Sequence, residues 1–187
     1  METLLLYIAA GATVGFAIGL TGVGGGSLMT PILLLFGFPP QTAIGTDLLY
    51  ASVTKTSAAV MHAKRRNVNW QVVGLLAAGS LPAAGLTTLL LSLLGAHAKD
   101  YRPLLTASLG VMLIATATVL LLRRQIQAKA SAGGHPLIQR LQANRRGVTL
   151  AMGILLGILV TLSSVGAGAI GTAFLLMIYP VFSPTRI

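Results

Sequence analysis

Apolar residues run through this chain in long blocks, and short charged clusters separate them. No charged side chain lies between Thr3 and Thr46, between Asn67 and Ala98, between Pro103 and Leu122, or between Gly147 and Thr185. A helix of about 20 apolar residues crosses the hydrocarbon core of a bilayer, so these stretches predict transmembrane helices. The first block runs from about Thr3 to Phe38 and is interrupted by Gly22-Val23-Gly24-Gly25-Gly26-Ser27. A second, from about Thr42 to Met61, carries Asp47 and Lys55. A third runs from about Trp70 to Leu94 and a fourth from about Leu104 to Leu122. The polar segment Arg123 to Arg146 precedes a last apolar block, about Gly147 to Val181.

Composition sharpens this picture. Of 187 residues, 55% are hydrophobic and 9% charged, against about 25% charged in a soluble domain. Too few polar residues remain to cover a soluble globule. With no cysteine, a disulfide scaffold and a thiolate metal site are both excluded. The net charge of +10 would suit nucleic acid, but its clustering argues against that partner. His62-Ala63-Lys64-Arg65-Arg66 is one basic loop, and Arg123 to Arg146 is another with no acid. Lys99 and Arg102 are nearly balanced by Asp100. The positive-inside rule places the two basic loops in the cytoplasm and the balanced one outside. The partner this implies is the lipid bilayer.

The second span then starts outside, near Pro39-Pro40. The block before it has about 36 residues, and its second arm, Leu28 to Gly37, is short for a crossing. We read it as a glycine-broken, re-entrant hairpin that leaves and returns on the outer side; a single tilted crossing is the rival. Glu2, with no nearby Lys or Arg, favours an outer N-terminus and argues against a cleaved signal peptide.

The chain repeats itself. Shifted by 142 positions, Gly11 falls on Gly153, Gly15 on Gly157, Val23 on Val165, Gly24 on Gly166, Gly26 on Gly168 and Thr30 on Thr172. With three crossings per repeat the second copy is inverted, which is a transporter signature. The expected fold is an all-α, polytopic transmembrane helical protein built from inverted repeats with glycine-broken re-entrant hairpins. Residues 1–122 form the first repeat, a broken hairpin plus three transmembrane helices. Residues 123–147 form a basic cytoplasmic loop, and 148–187 begin a second repeat. No counterpart of Gly45-Thr46-Asp47 follows Pro184, so the second repeat reads as incomplete and the chain as a fragment. The alternative is a short protein that completes itself as a homo-oligomer.

The glycine run does not fit a dinucleotide motif, because Ser27 stands where the third glycine belongs and no strand or ribose-binding acid follows. In a membrane, glycines unwind a helix and bare N–H groups that attract an anion. The second copy offers Ser163-Ser164-Val165-Gly166-Ala167-Gly168. The competing reading is close helix packing through small residues. Lys55 sits mid-span, where a charge costs about 2.5–3.5 kcal/mol and is rarely kept without use. It is a candidate counter-charge for substrate. Asp47 lies about 12 Å from Lys55 along the helix. It is either an N-terminal cap, together with Thr46, or a proton relay. Pro82 falls mid-span and predicts a kink. His62, His97 and His135 all fall in loops, and no paired carboxylates or metal-ligating cluster exist. No catalytic residue, metal or cofactor is expected; the chain reads as a non-enzyme.

The glycine-rich hairpin with Pro31, the run Ala43-Ile44-Gly45-Thr46-Asp47-Leu48-Leu49, Lys55, His62, Val68-Asn69-Trp70 and Gly79-Ser80-Leu81-Pro82 together resemble the sulfite exporter TauE/SafE family. The resemblance covers about residues 5–95 and, as the start of a second repeat, 148–187. It implies a multi-pass protein of the bacterial inner (plasma) membrane. The implied function is transport of a small inorganic or organosulfur anion, by export of sulfite or an organosulfonate such as sulfoacetate. By this similarity an anion-binding role is carried to Gly24, Gly25, Gly26, Thr46 and Lys55, and in the second half to Gly166 and Gly168. The alternative is a non-transporting membrane scaffold or assembly subunit whose glycines serve packing alone.

Overall fold

The uncharged stretches become long helices. A computed structural model of the protein describes residues 8, 9, 11–16, 28–65, 68–97, 102–131 and 136–179. After helical stretches at 8–9 and 11–16 come α1 (Met29–Leu35), α2 (Pro40–Lys64), α3 (Trp70–His97), α4 (Arg102–Ser131), α5 (Pro136–Ala143), α6 (Arg145–Ser163) and α7 (Ala169–Ile178). Among the described residues, three stretches are long and apolar enough to cross a bilayer: Trp70–Leu93, Pro103–Leu122 and Arg145–Ser163. The 25 residues of α2 give it the length. Asp47, Lys55 and a series of Ser and Thr residues make it less apolar. Leu81, Leu86, Val111, Ile114 and Leu121 point outward from α3 and α4, as lipid-facing side chains do. The protein is an all-helical, multi-pass membrane protein.

Local chemistry sets the helix ends. Pro40 opens α2, where its missing N–H costs nothing. Asn69 starts α3: its Oδ1 accepts the N–H groups of Gln71 at 3.1 Å and Val72 at 3.3 Å, satisfying two donors that the first turn leaves free. Pro82 lies inside the unbroken span of α3. The segment 123–147, expected as a loop, is largely helical. Helix α4 continues to Ser131, and α5 and α6 follow, because Arg, Gln, Ala, Lys and Leu are strong helix formers whatever their polarity.

Helices α3 and α6 pack closely against each other. These helices run parallel, with Leu76 against Gly153 and Ser80 against Gly157. A Cβ on Gly153 would lie 2.6 Å from the Leu76 carbonyl oxygen, and one on Gly157 would lie 2.5 Å from that of Ser80. A Cβ on Gly79 would collide with the Leu150 carbonyl and sit 2.9 Å from the Ile154 nitrogen. Only glycine lets the two backbones come this close, as in other membrane helix pairs.

The second hairpin turns back on itself. Helix α6 ends at Ser163, the chain turns at 164–168, and α7 runs back along it. Thr149, near the start of α6, shares a 3.0 Å hydrogen bond with the hydroxyl of Tyr179, just past the end of α7. Gln142 Nε2 donates to the Met177 carbonyl at 3.0 Å. Chain entry and return therefore lie at the same end, beside Arg145 and Arg146. Leu175, Ile178 and Tyr179 close that end against Val72, Leu76 and Val148. Thr149→Val removes the tie to Tyr179 at nearly constant volume. It is expected to lower stability by about 1 kcal/mol, measurable by equilibrium unfolding in detergent micelles.

Candidate functional site

At the far end of the hairpin the helix breaks for stated reasons. Ser164 adopts a left-handed conformation (φ 59°) and its N–H donates to the Val160 carbonyl at 2.7 Å. Gly166 has φ 103°, and a Cβ there would lie 2.5 Å from Met112 Cε of α4. Val165, 1% exposed, is clamped by Leu109 and Met112 of α4, with Leu34 of α1 and Ile170 of α7 packed around them. Val165 thus anchors the break inside the bundle. At about 1.5 Å per residue, the length of α6 places it some 27 Å from the basic end.

Against this break lies Asp47. It is completely buried, as is Thr30 in the first turn of α1. The Thr30 hydroxyl donates to Asp47 Oδ2 at 2.8 Å. Ser164 lies against the same carboxyl. Asp47 Oδ1 and Ser164 Oγ have no hydrogen-bond partner among the described residues. One carboxyl from α2 thus meets the return arm of the first hairpin and the tip of the second.

The residues singled out from the sequence fare differently. Gly24, Gly25 and Gly26 lie outside the described residues. Asp47 does not cap α2: Pro39 holds the N-cap position without a side-chain hydrogen bond, and Asp47 is two turns further in. Its neighbour Thr46 is exposed on another face of the helix, and Lys55 is exposed too. Neither joins Asp47. Gly166 is accounted for by its backbone angle and by Met112. Gly168 precedes α7, but the first turn already uses much of its donor capacity. Ile170 and Gly171 N–H donate to the Gly166 carbonyl and Thr172 N–H to that of Gly168. Thr30 and Ser164 were not singled out. The available signals were that Thr30 recurs as Thr172 and that Ser164 sits inside the second glycine-rich run.

Cavities among the described residues flank this core. One of about 530 Å³ opens at the basic end between the starts of α3 and α6, lined by Asn69, Gln71, Arg145, Arg146 and Tyr179. A groove of about 520 Å³ runs between α2, α3 and α6 and reaches Ala167 in the break; Ser80, Thr88 and Thr161 are among its lining, with no charged residue. A third, about 300 Å³, shares Leu48, Thr88 and Thr161 with the groove and extends to Gln41 at the start of α2.

The sequence that builds this arrangement has relatives among known proteins. The model of the family described as sulfite exporter TauE/SafE matches residues 7–186. The chain belongs to the TauE/SafE family. Among its relatives is "Probable membrane transporter protein YjnA" of Bacillus subtilis, 34% identical over 163 residues, or 87% of this chain and 63% of that protein. A "Probable membrane transporter protein" of Haemophilus influenzae is 28% identical over 181 residues, covering 92% of this chain and 61% of the relative. The chain therefore spans somewhat over three-fifths of the length of these relatives. No solved structure matches this TauE/SafE chain significantly. Family membership makes it a membrane protein of a transporter family, not of an enzyme family.

Proposed function

We propose that the complete protein exports a small anion, sulfite or an organosulfonate such as sulfoacetate, across the bacterial inner membrane. The observation that carries this reading is the break at 164–168. It is an interrupted helix set inside the bundle against a buried carboxyl of the other repeat, the arrangement on which secondary transporters build their sites. A packing scaffold has use for Gly79, Gly153 and Gly157 but none for a fully buried Asp47. The sign of the substrate is supported by Arg145 and Arg146 at the mouth of the cavity on the basic end, which the positive-inside rule makes cytoplasmic. An anion entering there and leaving outward moves down an inside-negative potential.

In this reading Lys55 serves as counter-charge on α2, and Thr46, Gly24, Gly25, Gly26, Gly166 and Gly168 contribute to the anion path with it. Thr172, the repeat partner of Thr30, bonds only carbonyls of its own helix and the preceding turn, those of Ala169 and Gly168. The second repeat therefore forms no equivalent of the Thr30–Asp47 pair among the described residues.

The test is efflux of radiolabelled sulfite from proteoliposomes containing a form extended to complete the second repeat. Wild type is expected to release sulfite. Lys55→Met is expected to slow release at least about tenfold, the equivalent of 1.4 kcal/mol of lost stabilisation. Equal rates for the two would remove Lys55 from the site. No release of sulfite or sulfoacetate from either would overturn anion export.

A further inference from the structure

The basic end of the bundle carries charge that the chain itself does not answer. Arg145 and Arg146 are the first two residues of α6, and both are exposed. A helix N-terminus is its positive end, where cations are disfavoured and acids are the usual complement. Here the first turn holds no acidic residue, and Asn144 at the N-cap makes no side-chain capping hydrogen bond. The chain has three acidic side chains, Glu2, Asp47 and Asp100. Asp47 is buried and bonded to Thr30, and parity places Glu2 and Asp100 on the outer face.

Both arginines line the cavity of about 530 Å³ between the starts of α3 and α6. Asn69 and Gln71 add amide N–H donors to its lining, and Tyr179, tied by its hydroxyl to Thr149 at 3.0 Å, gives it a fixed wall. Arginine is the side chain best matched to a phosphate, because its planar fork donates parallel hydrogen bonds to two oxygens. The cavity is larger than a bare tetrahedral oxyanion fills, and its remaining surroundings suit a lipid. Trp70, 69% exposed, lines it as the first residue of α3, and an exposed indole at the start of a spanning helix belongs at headgroup depth. Val73 of α3 and Leu150 of α6, within the first two turns of their helices, are exposed as well. A lipid whose phosphate meets the arginines can lay its acyl chains along them; a water-borne anion gains nothing there.

We propose that this cavity binds the phosphate of an anionic phospholipid, seated on Arg145 and Arg146 and bordered by Trp70. Basic pockets between helices at the cytoplasmic surface take such headgroups. The bound phosphate neutralises the positive end of α6 and holds the starts of α3 and α6 in the plane of the headgroups. The inference requires that the basic end lie at a membrane surface; it does not require transport of any anion.

Trp70 is the chain's only tryptophan and provides the readout. The 187-residue chain is reconstituted in vesicles of phosphatidylcholine and phosphatidylglycerol, one or the other carrying bromine on its acyl chains, which quenches tryptophan fluorescence on contact. Phosphatidylcholine has the same phosphate with its own cation beside it. Brominated phosphatidylglycerol is expected to quench Trp70 severalfold more effectively than brominated phosphatidylcholine at equal mole fraction. Arg145→Gln with Arg146→Gln should bring the two lipids to parity. Arg145→Lys with Arg146→Lys should keep part of the preference, since the charge remains and the fork is lost. Lys64→Gln, which removes a charge from the end of α2, should leave the preference intact. All three changes are to exposed side chains, and equal helix content by circular dichroism checks that the fold is kept. Equal quenching by the two lipids in wild type, or a preference that survives the double glutamine change, would overturn the proposal. Relief of the quenching by millimolar inorganic phosphate or sulfite, but not by chloride of the same ionic strength, would assign the cavity to a free oxyanion and overturn the lipid site.

Discussion

Replacing Gly153 and Gly157 together by valine is expected to prevent α3 and α6 from packing and to leave little folded protein. The obstacle is backbone, not side chain. The new Cβ atoms would fall within 2.6 Å of the carbonyl oxygens of Leu76 and Ser80, and a helix backbone cannot step aside as a flexible side chain can. Overpacking of this kind costs about 1–3 kcal/mol at a single site and occasionally more. Here relief requires the helices to move apart along their length, so each single variant should fall at or above that range. The two changes share one interface and will not add simply: once one valine has separated the helices, the second meets less resistance. Gly79→Val, on the opposite wall, should behave like the single variants. The measurement is the unfolding midpoint in detergent micelles, supported by the yield of monodisperse protein. Wild-type stability in any of these variants would mean that α3 and α6 are not in direct contact.

Gly166→Ala is expected to have the second largest effect. Its φ of 103° is a backbone conformation that costs a side-chain-bearing residue about 1–3 kcal/mol, and its Cβ would press on Met112 Cε at 2.5 Å. The two contributions can be separated. Met112→Ala removes the obstruction but not the backbone strain. It carries its own cost of about 2–5 kcal/mol, because Met112 is buried. The double variant should therefore be less destabilised than the sum of the singles, with a coupling of about 1 kcal/mol. Strict additivity would show that Met112 does not press on the break. Sulfite efflux by the extended form should fall in parallel if the break is the working part of the transporter.

Much of this architecture is legible in the residues because the bilayer constrains them so strongly. Charge-free stretches place the starts of α3, α4 and α6 to within a few residues, since a buried charge is expensive wherever it falls. The return of the second hairpin to the basic end also follows from the sequence, by parity and the spacing of glycines. The interior was less legible. Nothing local distinguishes Asp47 as a cap from Asp47 as a buried group; that depends on α2 starting at Pro40, seven residues earlier. Ser164 and Thr30 read as ordinary small polar residues until the fold sets both beside one carboxyl. The glycines at 153 and 157 matched Gly11 and Gly15 in the repeat, but their partner helix could not be read from that match. The helical conformation of 123–131 was missed for a simpler reason: charge clusters mark where a span leaves the membrane, not where a helix ends.

The pairing of α3 with α6 also sets a timetable for synthesis. Helix α3 ends at His97 and α6 at Ser163, so the ribosome adds about 66 residues between completing one helix and completing its partner. At roughly 5–20 residues per second, that is an interval of about 3–13 s. Throughout it α3 is fully made, with the narrow face that carries Gly79 and the carbonyls of Leu76 and Ser80 still uncovered. Whatever escorts the nascent chain into the bilayer must keep that face from closing on a neighbour before its own partner arrives.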